Sequence, residues 1–248
     1  SALKASHVDY RLTMGEDEGQ ARLHFFFTTE LRAADVDAEA LERHVTDLSR
    51  SWSEDLRERL SDQHGRAAGR ALARRYTEAF SERFIADTSP QRTLNDITEL
   101  EALSAGGFRV RLLDSASGRH SGAANLRIYH EGRGLVLSET LPLLENAGLR
   151  VLEQTAYDVT TEGRRLAIES FQVQAQSGEA LPAGAAAARL TGALQQLLEG
   201  KDENDGLNSL LLSTELDLRQ IALLRAYAMY CAQVRPATSR SFLEGTLV

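Results

Sequence analysis

Apolar and polar positions alternate along residues 6 to 30. Val8, Tyr10 and Leu12 share one face, Gly15-Glu-Asp-Glu-Gly19 supplies a turn, and Leu23, Phe25 and Phe27 return opposite His24 and Phe26. A period of two predicts a half-buried β-hairpin. The period then lengthens. Leu41, Val45, Leu48, Trp52, Leu56 and Leu60 are spaced 4, 3, 4, 4 and 4, which predicts one amphipathic helix over 37–63. Asp37 stands where its N-cap belongs, and Trp52 is expected in the core. Gly65 separates a second helix, with Ala68, Leu72, Tyr76 and Phe80 repeating every four residues. Ser89-Pro90 marks a break, because the residue before proline avoids helical backbone. A shorter helix carrying Leu94, Ile97 and Leu100 follows.

Alternation resumes over 107–175. Phe108, Val110 and Leu112 interleave with Arg109 and Arg111, and Leu126, Ile128 and His130 make the next strand face after a Ser115–Gly122 turn cluster. Leu137–Asn146 predicts a short helix ended by Gly148, the residue best suited to a left-handed cap. Two strands follow near 149–159 and 165–175, divided by Glu162-Gly163. The order strand, strand, helix, strand, strand predicts a small α+β unit with one sheet and helices on one face.

From 181 the pattern is helical. Ala183–Arg189 is alanine-rich, and Gly200–Gly206 is expected as a solvated polar loop. Asp217 opens a further helix, with Gln220 placed to complete a capping box. Leu218, Ile221, Leu224, Ala228 and Cys231 form its inner stripe. Leu223, Tyr227 and Tyr230 make it apolar nearly all round, so it is expected to lie buried between neighbours. Pro236 stops it.

Length and charge narrow the classes. A chain of 248 residues, 42% of them hydrophobic, holds one or two domains, or three small ones, with a sizeable core. The formal charge of -8 argues against a nucleic-acid binder or a peripheral binder of anionic membranes. No run of about 18 apolar residues is present for a membrane span. One cysteine, Cys231, excludes an intrachain disulfide framework and fits a reducing compartment. Only Lys4 and Lys201 are lysines among the 28 basic residues. Amines whose pKa could be tuned for catalysis are therefore scarce, since arginine stays charged. The first residue is Ser1 and the last element breaks off at Val248, which suggests a piece of a longer chain.

Catalytic motifs are missing. Gly132-Arg-Gly134 lacks the third glycine of a dinucleotide loop, and Gly200-Lys201 lacks the flanks of a phosphate loop. The six histidines show no metal-ligand spacing. Asp202, Asn204 and Gly206 resemble a calcium loop only superficially, because the twelfth position is Ser213 rather than glutamate. No nucleophile elbow exists. What remains is the turn Gly132–Ser138, where backbone amides at a helix start could receive a carboxylate or phosphate. Gly132, Gly134 and Ser138 are the candidate ligand residues. The competing structural reading is an ordinary turn with Ser138 as N-cap.

Several stretches together resemble a known family. They are Ala21-Arg-Leu-His-Phe-Phe-Phe-Thr-Thr29, Ser51-Trp-Ser-Glu-Asp-Leu-Arg57, Ala73-Arg-Arg-Tyr76 with Ala79-Phe80, and Asp96-Ile with Leu100-Glu-Ala-Leu103. Then come Leu137-Ser-Glu-Thr-Leu-Pro-Leu-Leu-Glu-Asn-Ala-Gly-Leu-Arg-Val151 and Tyr157, followed by Asn204-Asp-Gly-Leu-Asn208 and Ala222-Leu-Leu-Arg-Ala-Tyr227. In this order they resemble the N-terminal regulatory region of the large bacterial NAD-dependent glutamate dehydrogenases.

The resemblance implies an α+β fold of ACT-like (ferredoxin-like) antiparallel modules packed with helices and followed by an α-helical segment. It implies three segments: 1–104, a hairpin with helices; 105–178, a second ACT-like ββαββ module; and 179–248, a helical motif. It further implies a regulatory or assembly role without catalytic residues, with NAD and glutamate held by a downstream catalytic domain. No cofactor or metal is expected in this segment. The implied partners are that catalytic domain, further copies of the chain and an amino-acid effector, in the cytoplasm and without nucleic acid or membrane. Family members rely on active-site lysines, which this chain scarcely has. An amino-acid sensor of ACT type, or a purely structural scaffold, is the alternative.

Overall fold

The computed structural model describes residues 7–14, 21–28, 51–114, 122–132 and 135–234. The chain divides into two compact units, Ser1–Glu54 and Asp55–Val248. In the first, β1 (His7–Met14) and β2 (Ala21–Thr28) form an antiparallel pair. Val8 pairs with Phe27, Tyr10 with Phe25 and Leu12 with Leu23, so the alternating apolar positions meet on one face. Phe26, placed opposite by the same alternation, is exposed.

Helix α1 (Trp52–Tyr76) starts at a reciprocal capping box. The Ser51 amide donates to Glu54 Oε2 at 3.1 Å, and the Glu54 amide donates to Ser51 Oγ at 3.3 Å. The uninterrupted helix expected over 37–63 is therefore broken at Ser51. The apolar stripe runs past this point, which is why periodicity alone misses the break. Asp37 and the stripe residues before Ser51 lie outside the described residues. Trp52 is half-buried rather than a core residue, while Leu56 and Leu60 are fully buried. Gly65 divides α1 as expected, with φ 79° and ψ 162°. Beyond it the chain folds back so closely that a Cβ on Gly69 would lie 2.5 Å from the Leu60 carbonyl oxygen. The buried face there is Gly69, Ala73 and Tyr76, with Ala68 exposed.

Two helices complete this layer. In α2 (Glu82–Asp87) Ser81 Oγ accepts the Phe84 amide as an N-cap. Helix α3 (Pro90–Glu101) has proline in its first turn and buries Leu94, Ile97 and Leu100.

Strands β3 (Phe108–Asp114), β4 (Ala124–Glu131), β5 (Leu149–Thr161) and β6 (Arg164–Ala175) form one antiparallel sheet in the order β3-β4-β6-β5. Helix α4 (Leu137–Asn146) joins β4 to β5 and ends at Gly148, whose φ of 83° is the left-handed cap expected there. Glu162 and Gly163 both have positive φ and make the tight turn between β5 and β6. Helix α5 (Gly184–Leu198) follows. The order ββαββα becomes βαββαβ if the first strand is moved to the end, which is the ferredoxin-like order. The ends of this stretch lie near each other: β3 packs against α5, and the lowered carboxyl pKa of Glu199 owes most to Lys201 and a smaller part to the nearby Phe108 amide.

Helices cover both faces of the sheet, not one as the sequence suggested. On one face Val110, Leu126, Ile128, Phe171 and Val173 form a core with Leu143 and Leu144 of α4 and Leu190 and Leu194 of α5. On the other face β5 and β4 meet α1–α3. Phe80 bridges to Val159, and the rings of Tyr76, Phe80, Phe84 and Tyr157 follow one another at centroid distances of 6.0, 4.4 and 5.2 Å. Helices α1–α3 thus belong to the same compact unit as the sheet. The sequence segments 1–104 and 105–178 adjoin in the chain, and residues 55–103 of the first pack against the sheet of the second.

A 3-10 turn (Gly206–Ser209) leads into α6 (Leu210–Ser213) and α7 (Leu218–Val234). The Asp217–Gln220 capping box forms as expected: the Asp217 amide donates to Gln220 Oε1 and the Gln220 amide to Asp217 Oδ1. Leu218, Ile221 and Ala228 are buried. Cys231, expected beside them, is exposed. Leu223, Tyr227 and Tyr230 are 57%, 61% and 63% exposed. Helix α7 therefore covers the unit with one face and shows an apolar second face to solvent. No described helix is long and apolar enough to cross a membrane.

Candidate functional site

The turn proposed as a ligand site begins at the end of β4. Gly132 has φ 106°, and its amide donates to the Arg165 carbonyl at 2.8 Å, so it closes the strand pair. Gly134 lies outside the described residues. Ser138 is exposed in the first turn of α4, but the N-cap is Val136, whose side chain makes no cap bond. Ser138 is thus not the cap that the structural reading gave it.

Two clefts flank the connection from β6 to α5, and both are lined by Ala180 and Pro182. One, of about 460 Å³, lies between the end of α4 and α6 and includes Gly148, Ser177, Glu179, Ser209 and Ser213. Gln176 fixes its wall: its amide donates to the Gly148 carbonyl, and its side chain donates to the Glu145 and Leu149 carbonyls. Among the described residues its lining holds Ser177, Ser209, Ser213 and one carboxylate residue, Glu179, and no basic residue. The other cleft, of about 440 Å³, is lined among the described residues by glycines and apolar residues that include Leu112, Gly122 and Ala187. Both arise where segments far apart in sequence converge, so no local pattern announced them.

The polar groups inside the sheet layers are paired for structure. Asp96 of α3 is fully buried and takes Arg127 of β4 in an ion pair and the Tyr129 hydroxyl at 2.7 Å. Arg127 also donates to Thr88 Oγ1 at 3.3 Å. Burial works against the charge on Arg127, but Asp96 outweighs it and raises the guanidinium pKa further. Glu99 takes Arg109 in the same layer. Beneath the other face, His130 Nε2 stands 3.8 Å from Glu169 Oε1, and Gln154 donates to Glu169 Oε2 at 2.5 Å.

Arg225 is the residue that sequence reasoning missed. It is 4% exposed in α7, donates to both Asp205 oxygens at 2.6 and 3.0 Å, and reaches Asn208 Oδ1 at 3.1 Å. The loop 200–206 is thus not merely solvated, because Asp205 is anchored by a buried cation. A signal existed: Arg225 is the one charged residue between Ala222 and Val234. Among the described residues no cluster of three or more metal-ligating side chains occurs.

Three tyrosines titrate with the fold. Burial pushes Tyr157 up to about 12, aided by its hydrogen bond to Asp87. Burial also raises Tyr76 and Tyr129, beside Glu101 and Asp96. The folded state holds these protons more tightly than the unfolded chain, whose tyrosines titrate near about 10. Their contribution is complete below that value and is lost as pH rises through the folded values. The expected result is cooperative alkaline unfolding above about pH 10, with tyrosinate absorbance from these residues appearing together with loss of helix signal. Their full ionisation in a chain that stays folded would contradict it.

A ββαββα sheet module clad by helices, preceded in the chain by a hairpin unit and followed by a helical segment, is an ACT-like α+β architecture. Sequence comparison gives it a family. Four models of glutamate dehydrogenase segments match in order: the ACT2 domain over 1–53, helical motif 2 over 59–103, the ACT3 domain over 108–186 and helical motif 3 over 202–248. The NAD-specific glutamate dehydrogenase of Halomonas elongata is 28% identical over 247 residues, 99% of this chain and 15% of that protein. The Pseudomonas aeruginosa enzyme of the same name matches at the same identity and coverage. That of Mycobacterium tuberculosis is 30% identical over 214 residues, 82% of this chain and 13% of its own length. The chain belongs to the ACT and helical-motif region of the NAD-specific glutamate dehydrogenase family.

Proposed function

We propose that this chain is a non-catalytic regulatory and assembly segment of an NAD-dependent glutamate dehydrogenase. The whole enzyme would oxidatively deaminate L-glutamate to 2-oxoglutarate and ammonia, passing hydride to NAD in a catalytic domain further along the chain. The observation that carries this reading is the unbroken series of ACT and helical-motif matches, with the sheet module where the ACT3 model falls. The scarcity of lysine supports it. The single cysteine suits a reducing cytoplasm. Isolated chain is expected to show no heat of NAD binding and no NAD reduction with glutamate. Measurable binding or turnover would overturn the reading.

The cleft at Gly148 favours a second reading, amino-acid sensing. It falls within the volume range of small-molecule sites, and its one carboxylate, Glu179, would meet the ammonium end of an amino acid. A sensor shows a thermal midpoint that climbs with ligand concentration. A panel of amino acids that leaves the midpoint unmoved would leave the scaffold role standing alone.

A further inference from the structure

Beyond Gly65, helix α1 carries arginine at every fourth position: Arg66, Arg70 and Arg74, all exposed. Residues four apart lie one above the other on a helix, so the three guanidinium groups share one ridge about 12 Å long. Among the described residues none of the three has an ion pair or a side-chain hydrogen bond, whereas Arg59 of the same helix holds Asp55, and Arg75 holds Glu101 and Glu162. Asp62 and Glu78, four residues further out at either end, do not pair with them: one precedes the break at Gly65 and the other follows the helix end at Tyr76. Folding does not account for the row. Like charges four apart destabilise a helix, and Arg66 and Arg70 stand early in their segment, where the helix dipole disfavours cations.

The surface beside the row has its own shape. On one side Gly69 and Ala73 are buried. On the other, Ala67 and Ala71 are exposed and leave a low groove parallel to the ridge. We propose that this ridge and groove are a docking surface for an acidic α-helix of a partner protein, with three carboxylates at four-residue spacing and a basic residue one step beyond them at each end. Charge and shape select that occupant. Each carboxylate meets a guanidinium, whose planar fork suits it, and the alanines admit the partner backbone closely enough for short acidic side chains to reach. Asp62 and Glu78 then face the basic ends of that helix. They also repel a uniform polyanion, as does the net charge of -8, which sets a nucleic-acid strand aside. A lone small anion would engage part of the row and leave the groove uncovered.

The test is fluorescence anisotropy of labelled helical peptides titrated with the whole 248-residue chain. The matched peptide carries glutamate at three positions spaced by four, with lysine one step beyond at each end. A control of the same composition spreads its glutamates around the helix. The matched peptide is expected to bind about tenfold more tightly than the control, and to weaken as salt rises from about 50 to about 300 mM. The triple variant Arg66→Glu, Arg70→Glu, Arg74→Glu should lose the matched peptide, keep its helix signal because all three residues are exposed, and bind a peptide in which lysine and glutamate are exchanged. Arg70→Gln alone should give an intermediate loss. Equal binding of matched and control peptides, or undiminished binding to the charge-reversed chain, would overturn the proposal. So would a single-stranded oligonucleotide that binds more tightly than the matched peptide, or inorganic phosphate that displaces it at constant ionic strength, since either would make the row a general anion site.

Discussion

Replacing Arg127 by alanine is expected to cost about 3–5 kcal/mol of stability, seen as a lower urea midpoint with the denaturant slope unchanged. The size of the effect comes from what is left behind. Asp96 is fully buried, and Arg127 is its charge partner across the layer between α3 and β4. Without it the carboxylate, fully buried, keeps only the Tyr129 hydroxyl among the hydrogen bonds it makes. Coulomb attraction alone does not set the figure, since a buried pair gains little over an apolar pair of the same shape. The expectation therefore has a second half. Removing all the polar members together, by Asp96→Leu, Arg127→Met and Tyr129→Phe, should recover most of what the single substitution loses. A single variant as stable as wild type would show that the layer admits water and that the pair is not isolated.

Phe84→Ala is expected to cost a comparable amount, about 3–5 kcal/mol, and to loosen α1–α3 from the sheet. Phe84 is fully buried and stands between Phe80 at 4.4 Å and Tyr157 at 5.2 Å, one ring stacked and the other edge-on. Truncation opens a cavity at the centre of the row, where rings on both sides are held by other contacts and cannot close in. Tyr157 is tied to Asp87, and Phe80 is held by the bridge to Val159. Phe84→Leu should cost about 1–2 kcal/mol, because most of the volume is kept. Hydrogen exchange gives the spatial check: amides of α1–α3 should lose protection in Phe84→Ala before those of β4 and β6 do. Uniform loss across the sheet would mean that the helical layer and the sheet unfold as one unit.

Where each element is set by its own neighbours, the chain could be read directly. Leu137–Asn146 came out as α4 residue for residue, because an apolar stripe ends at Gly148, which only a left-handed cap explains. The paired strands β5 and β6 declared themselves through alternation and the Glu162-Gly163 turn. The Asp217–Gln220 box is equally local. Misreadings came where two signals overlapped. The stripe through Trp52 continues across the Ser51 break, so periodicity hid a capping box written in the same residues. Helix α7 is apolar on both sides, and a sequence does not say which of those sides is buried and which is left exposed. The second helical layer was missed for a related reason: Arg109, Arg127 and Tyr129 look solvent-facing until Glu99 and Asp96 are brought over them from α3. Of the candidate site, the turn at Gly132 was legible as a turn, while the clefts beside Ala180 exist only after α4, β6 and α6 converge.

The contact between Phe108 and Glu199 gives the ββαββα module a single doorway. The backbone arrives from α3 and departs toward the 3-10 turn at the same corner, like a loop of thread drawn through one eyelet. The chain therefore enters and leaves this module at one place in space, while the helices on either side share its buried faces and fold with it as one unit.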